Sequence, residues 1–186
     1  MRFETFAPLT QLEFITHAFT LRTTEDTKAD DFETRLGLTA YASAEQPHGN
    51  QVAEVTGPGR VPGVDALVTR QRGLPLVIRC ADCPPVFMVD RTTPAIALVH
   101  SGKKGTLGNI VGNTRREIPG ADIAFIGPSI GPCHYEMDLW SAIERQLTGL
   151  EVHNPRICTA CHLDRYFSYR TEKGNTGRMF AILSLR

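Results

Sequence analysis

A chain of 186 residues is long enough for one domain with a sizeable core and short for two, and 41% hydrophobic with 22% charged residues excludes a disordered or fibrous polymer. Twenty Lys and Arg balance twenty Asp and Glu, so no global field gathers nucleic acid or an anionic membrane. No apolar run approaches the roughly 20 residues that cross a bilayer, and Met1-Arg2-Phe3-Glu4-Thr5 lacks the layout of a secretion signal, which points to the cytosol.

Along the chain, the polar stretch Thr23 to Asp31 reads as an exposed loop and the Gly/Pro-rich stretch Thr56 to Gly63 as a connection. Neither separates domains, so residues 1–186 read as a single domain. Short apolar runs follow, bounded by Gly, Pro and Asp: Val64–Thr69, Leu74–Ile78, Val86–Val89, Ala95–Val99, Ile123–Ile126 and Phe180–Leu185. These are the expected look of buried strands. Helical spacing is scarcer. Leu107, Ile110 and Val111 suit a helix opening at Thr106, and Trp140, Ile143 and Leu147 suit one over Met137 to Leu147 that Gly149 stops. Few helices beside many strands predict an α+β fold.

Five cysteines are an odd number in a chain that can hold itself together without disulfides, so they read as thiols, metal ligands or a nucleophile. Cys83 leaves one strand and enters the next, fixed by Pro84 and Pro85; a buried small hydrophobe is the alternative. His100 ends an apolar strand against Gly102, and His48 stands before Gly49. Two imidazoles and one thiolate at loop edges would make a three-ligand zinc site with a fourth position open. Gly102-Lys103-Lys104-Gly105-Thr106-Leu107-Gly108 reads either as a phosphate cradle or as a solvated turn. Asp82 could orient a ligand, move a proton or cap a loop.

Two motif matches read differently in context. Gly127-Pro128-Ser129-Ile130-Gly131 has the nucleophile-elbow spacing, but Pro132 follows and no helix starts at the serine, so it reads as a structural turn. Cys158-Thr159-Ala160-Cys161-His162 spells a haem-attachment motif without an export signal. A structural zinc on Cys158, Cys161 and His162 lacks a clear fourth ligand.

In order, Gln46-Pro47-His48-Gly49, Asp65-Ala66-Leu67-Val68-Thr69, Ala81-Asp82-Cys83-Pro84-Pro85-Val86, Val99-His100-Ser101-Gly102, Ile126 to Cys133, Phe167-Ser168-Tyr169-Arg170 and Gly177-Arg178-Met179 resemble the laccase-domain family. That family was first labelled multicopper polyphenol oxidases and is now regarded as purine nucleoside phosphorylases. The resemblance implies a four-layer α/β/β/α sandwich with mixed sheets. It also implies His48, Cys83 and His100 as zinc ligands and catalytic centre, with copper the less favoured metal.

The implied chemistry is phosphorolysis of adenosine, inosine, guanosine or methylthioadenosine, with adenosine deamination as a companion activity. Purine nucleoside and phosphate are the expected partners, held by Lys103, Lys104 and Arg170, with Tyr169 beside them, in a monomer or homodimer. A similar fold in a toxin deamidase keeps open a metal-free cysteine hydrolase using Cys83 and His100. A binder without turnover and a copper polyphenol oxidase are the remaining alternatives. The sequence departs from the family in three places: Leu21 to Asp26 replaces an Arg-x-Gly-Gly-Val-Ser loop, Lys103-Lys104 replaces Trp-Arg, and the stretch from Tyr135 to Cys158 is abbreviated.

Overall fold

The computed structural model describes residues 2–23 and 38–186. Apart from Thr23, the loop expected up to Asp31 lies outside the described residues, as does the Thr24 to Asp26 part of the altered N-terminal stretch.

The apolar runs become strands buried on both faces. Pro85–Asp90 (β8), Ala95–His100 (β9) and Ile123–Ile126 (β10) are buried throughout. With a side-chain period of two, each strand feeds two cores. Phe87 and Val89 of β8 join the cluster between the sheets, while Val86 and Met88 join the cluster beneath the helices. With Val52–Glu54 (β4), Ala66–Thr69 (β6) and Glu151–His153 (β11), these strands form a mixed sheet in the order β11-β10-β8-β9-β6-β4. The second sheet has the order β1-β2-β12-β7-β3-β5, built from Phe3–Glu4 (β1), Ile15–Thr20 (β2), Ala42–Ala44 (β3), Gly59–Val61 (β5), Leu76–Cys80 (β7) and Met179–Leu185 (β12).

The helices are few, as expected for an α+β sandwich: Ala7–Thr10 (α1), Lys103–Leu107 (α2), Ile110–Glu117 (α3) and Leu139–Gln146 (α4) among the described residues. Helices α3 and α4 lay Ile110, Val111, Trp140 and Ile143 on the outer face of the β10-β8-β9 sheet. The Asp138 side chain caps α4 by accepting from the Ser141 N–H at 3.1 Å. None of the helices is long and apolar enough to cross a membrane.

Two sequence expectations are corrected. The helix expected to open at Thr106 begins at Lys103 and breaks at Asn109, whose φ of 59° is left-handed, before α3 resumes at Ile110. Leu107 faces solvent instead of the core. The connection Thr56 to Gly63 contains β5, which pairs in parallel with β3.

One feature of the topology places the site. From β3 to β8 the chain alternates between the sheets at every step, with β3, β5 and β7 in one and β4, β6 and β8 in the other. Strands β3, β5 and β7 run parallel, as do β4 and β6. Every crossing out of β3, β5 and β7 therefore lies at the same end of the sandwich. Those three crossings carry His48, Asp65 and Cys83, and β9 returns antiparallel to β8 to bring His100 to that end.

Candidate functional site

The crossing that carries Cys83 turns sharply at Asp82, a non-glycine residue at φ 83°. That conformation is held because the Asp82 carboxylate accepts three hydrogen bonds: from Thr159 Oγ1 at 2.6 Å, Ser168 Oγ at 3.1 Å and the Arg170 N–H at 2.7 Å. Asp82 thus ties the cleft walls to the thiol-bearing turn, and the capping role is the one its contacts support. The crossing that carries His48 is pinned by Gln46, which exchanges two side-chain hydrogen bonds with the Arg79 backbone at 2.7 and 2.9 Å.

His48, Cys83 and His100 converge, their ligand atoms all within 4.8 Å of one another. The two imidazoles meet edge to face with centroids 4.8 Å apart. Gly102 makes this packing possible: a Cβ there would stand 3.1 Å from Cys83 Sγ and 3.2 Å from His48 Cδ2. Gly105 sits just as close to the His48 loop, its Cβ position 2.7 Å from the Gly49 carbonyl oxygen. The glycines after His100 therefore serve close packing around the three side chains.

Asp65, a residue the motif reading left without a role, organises the group. Its fully buried carboxylate accepts from His100 Nδ1 at 2.8 Å, from the His48 N–H at 3.0 Å and from the Gly49 N–H at 2.6 Å. Its backbone carbonyl accepts the His100 N–H at 2.8 Å. With Nδ1–H directed at Asp65, His100 turns Nε2 toward Cys83, the arrangement that fixes a metal-binding imidazole. The available signal was an acidic residue opening a strand, Ala66–Thr69, that is otherwise buried throughout.

The charge states follow from this geometry. Burial pushes the Cys83 thiol up, but hydrogen bonds from His100 and His48, with their charge, bring it down to about 6. Burial pushes His100 down, yet the Asp65 carboxylate and Cys83 more than reverse this and hold it at about 9. Without metal, the pair is a thiolate beside an imidazolium at neutral pH.

The donor set fits one metal ion. Two nitrogens and one sulfur within bonding reach of a common point, with the remaining side open to a cleft, match the three-ligand layout of catalytic zinc. They do not match a centre of several coppers, because only His48 and His100 of the six histidines line the cleft. His17 is buried in the core, and His153 bonds Glu151 at 2.8 Å.

The cleft has a volume of about 1190 Å³, and among the described residues its walls carry Arg79, Lys103, Lys104, Arg170, Lys173 and Arg178 against Glu45 and Asp82. In a chain of zero net charge this local excess favours an anionic ligand. All three residues expected to hold substrate, Lys103, Lys104 and Arg170, line it, as does Tyr169. Glu136 bridges two of them, accepting from Lys103 Nζ at 2.9 Å and from the Arg170 guanidinium at 3.3 Å. Arg170 also stacks over the Tyr135 ring at 4.8 Å.

Of the two motif matches, the serine is structural: Ser129 is buried and accepts from Trp140 Nε1 at 2.7 Å. The cysteine pair Cys158 and Cys161 gathers with Cys133 and His134, and His162 is not part of that group.

Comparisons with known proteins agree with the fold. The purine nucleoside phosphorylase YlmD of Geobacillus stearothermophilus is 32% identical over 201 residues, taking in 80% of this chain and 73% of the relative. A purine nucleoside phosphorylase of Deinococcus radiodurans is 31% identical over 185 residues, covering 81% of this chain and 73% of its own. The crystal structure of YlmD superposes with a TM-score of 0.85 at 23% identity, over 99% of this chain and 98% of that one. The hypothetical protein YfiH of Bacillus licheniformis superposes with a TM-score of 0.86 at 21% identity, over 99% of each chain. The family profile described as multi-copper polyphenol oxidoreductase laccase matches residues 24–138 and 134–186, and the chain belongs to that family.

Proposed function

We propose that residues 1–186 act as one domain, a zinc-dependent purine nucleoside phosphorylase whose centre is His48, Cys83 and His100. What carries this reading is the convergence of those three side chains at a cleft lined, among the described residues, by six cationic ones. The names of the relatives supply the substrate class. In phosphorolysis the glycosidic C1′–N bond breaks, a phosphate oxygen bonds to C1′, and the base leaves as the free purine. Lys104 and Arg170, with Lys103, hold phosphate through charge and hydrogen bonds, and the catalytic gain comes from positioning and charge stabilisation. Asp65 keeps His100 in one tautomer and one orientation. Bound zinc supplies Lewis acidity and a means of activating water at neutral pH, which extends the reading to adenosine deamination. There water replaces the C6 amine and ammonia leaves.

The test is chromatography of adenosine, inosine, guanosine and methylthioadenosine after incubation with phosphate, using wild type beside Cys83→Ala. Free base with wild type and background levels with the variant are expected. Equal turnover by both proteins removes Cys83 from the chemistry, and no turnover of any purine nucleoside by zinc-loaded wild type refutes the activity.

One observation favours a second reading, a metal-independent cysteine hydrolase. Cys83, His100 and Asp65 line up as nucleophile, base and orienting carboxylate. Alkylation followed peptide by peptide separates the two. In stripped protein the Cys83 rate should climb as pH passes about 6 and then level off, because the thiolate population saturates there. For the metalloenzyme, zinc shields Cys83 and restores turnover. A hydrolase keeps full activity in chelator and loses it on alkylation.

A further inference from the structure

Outside the cleft, a second group of metal-ligating side chains assembles from two separated segments. Cys133 and His134 sit in a turn closed by the His134 N–H donating to the Gly131 carbonyl at 3.0 Å. Cys158 precedes the short 3-10 helix Thr159–Cys161 and Cys161 ends it. A parallel bridge between Ser129 and Cys158 brings the segments together, with the Ser129 N–H bonded to Ile157 O at 3.1 Å and the Thr159 N–H to Ser129 O at 3.1 Å.

The spacing of the four ligand atoms is informative. Cys133 Sγ stands 3.6 Å from Cys161 Sγ. His134 Nδ1 stands 3.3 Å from Cys133 Sγ, 3.5 Å from Cys161 Sγ and 3.8 Å from Cys158 Sγ. Bond lengths of about 2.3 Å for Zn–S and about 2.0 Å for Zn–N put the edges of a tetrahedron at about 3.8 Å between sulfurs and about 3.5 Å between sulfur and nitrogen. These four edges lie close to those values, the other two are within 4.8 Å, and Cys133 and Cys161 stand well beyond the roughly 2.05 Å of a disulfide.

We propose that Cys133, His134, Cys158 and Cys161 form a closed tetrahedral site for one structural zinc ion, separate from the centre in the cleft. Each coordinating thiol gives up its proton on binding, and the imidazole enters neutral through Nδ1. Three thiolates around a divalent ion leave one net negative charge, and the Gly131 N–H donates to Cys158 Sγ at 3.2 Å to offset part of it. Four protein ligands leave no position for substrate, which makes the site a staple.

The staple has a defined load. It joins the turn that presents Ile130 and Tyr135 to the cleft with the turn whose Thr159 holds Asp82, the residue before Cys83. It thereby fastens the abbreviated stretch between Tyr135 and Cys158 at both ends. The proposal does not rest on the phosphorolysis reading and survives its failure.

The experiment is zinc analysis of the full chain, purified under reducing conditions, for wild type, Cys83→Ser and Cys161→Ser, each checked for folding by circular dichroism. Cys83→Ser should retain one zinc per chain, and its cobalt(II) derivative should show thiolate charge-transfer intensity appropriate to three sulfurs. Cys161→Ser should carry one zinc fewer than wild type and melt at a lower temperature. The proposal fails if Cys161→Ser holds as much zinc as wild type. It also fails if folded Cys83→Ser takes up cobalt with no such band, or if mass spectrometry finds Cys133 and Cys161 joined as a disulfide in freshly isolated protein. Should Cys161→Ser not fold, the cobalt spectrum of Cys83→Ser decides alone.

Discussion

Asp65 is the residue on which the geometry of the cleft centre most depends. One buried carboxylate serves three donors, two on the loop that carries His48 and one on the His100 ring. Asp65→Asn keeps the volume but replaces one acceptor oxygen by an NH₂ group. That group then confronts either the Gly49 N–H or the donors served by Oδ1, so a buried donor is left unpaired or His100 changes tautomer. Losses of about 10- to 100-fold in zinc affinity and in turnover are expected. Chelator competition and steady-state rates on the same preparation check this. An unchanged affinity would mean that His100 does not need Asp65 to bind metal.

At the scale of elements, α2 acts as a spacer pressed against the His48 loop. Gly105→Ala would put a methyl group 2.7 Å from the Gly49 carbonyl oxygen, a backbone atom that cannot rotate away. Overpacking of this kind costs about 1–3 kcal/mol. The strain falls on the loop that holds His48, so the variant should unfold at lower denaturant and bind zinc more weakly. A chemical denaturation curve with a parallel metal titration measures both.

What could be read in advance follows from the same packing. Strands β8, β9 and β10 were legible because each is buried on both faces and reads as an unbroken apolar run. Strands β3 and β5, Ala42–Ala44 and Gly59–Val61, were not, because three small or partly exposed residues have no pattern of their own and are strands only through their parallel neighbours. The break at Asn109 was invisible because the apolar spacing from Leu107 to Val111 continues across it. His48, Cys83 and His100 stood out close to glycine or proline at loop edges. Asp65 did not, since a single acidic residue before a strand is ordinary turn chemistry. The grouping of Cys133 and His134 with Cys158 and Cys161 depends on the Ser129–Cys158 bridge, a contact that local sequence does not encode.

For the molecule as a whole, acid should act through His17 in the core. Its Nε2 accepts the Phe6 N–H at 2.8 Å, and the ring stacks on Phe6 with centroids 5.8 Å apart. Burial pushes it from the ordinary 6.5 down to about 4, because protonation would abolish the acceptor and strand a charge. The folded value is the lower one, so the stabilisation is complete above about 6.5 and is lost as pH falls toward 4, a span of about 3 kcal/mol. His17→Gln, whose amide oxygen can still accept from Phe6, should flatten that part of the stability profile. Denaturant unfolding of both proteins between pH 7 and pH 4 checks it, and parallel curves would assign the acid loss to other groups.

The alternation of the chain between two sheets has a mechanical consequence. Successive coils of one winding deliver His48, Asp65 and Cys83 to one end of the sandwich, so an ion held by His48, Cys83 and His100 would rivet coils otherwise joined by hydrogen bonds and packing. Occupancy then opposes any sliding of one sheet across the other. Amide exchange should slow along β3, β6 and β7 together on loading, far from the cleft mouth, in proportion to how tightly the ion is gripped.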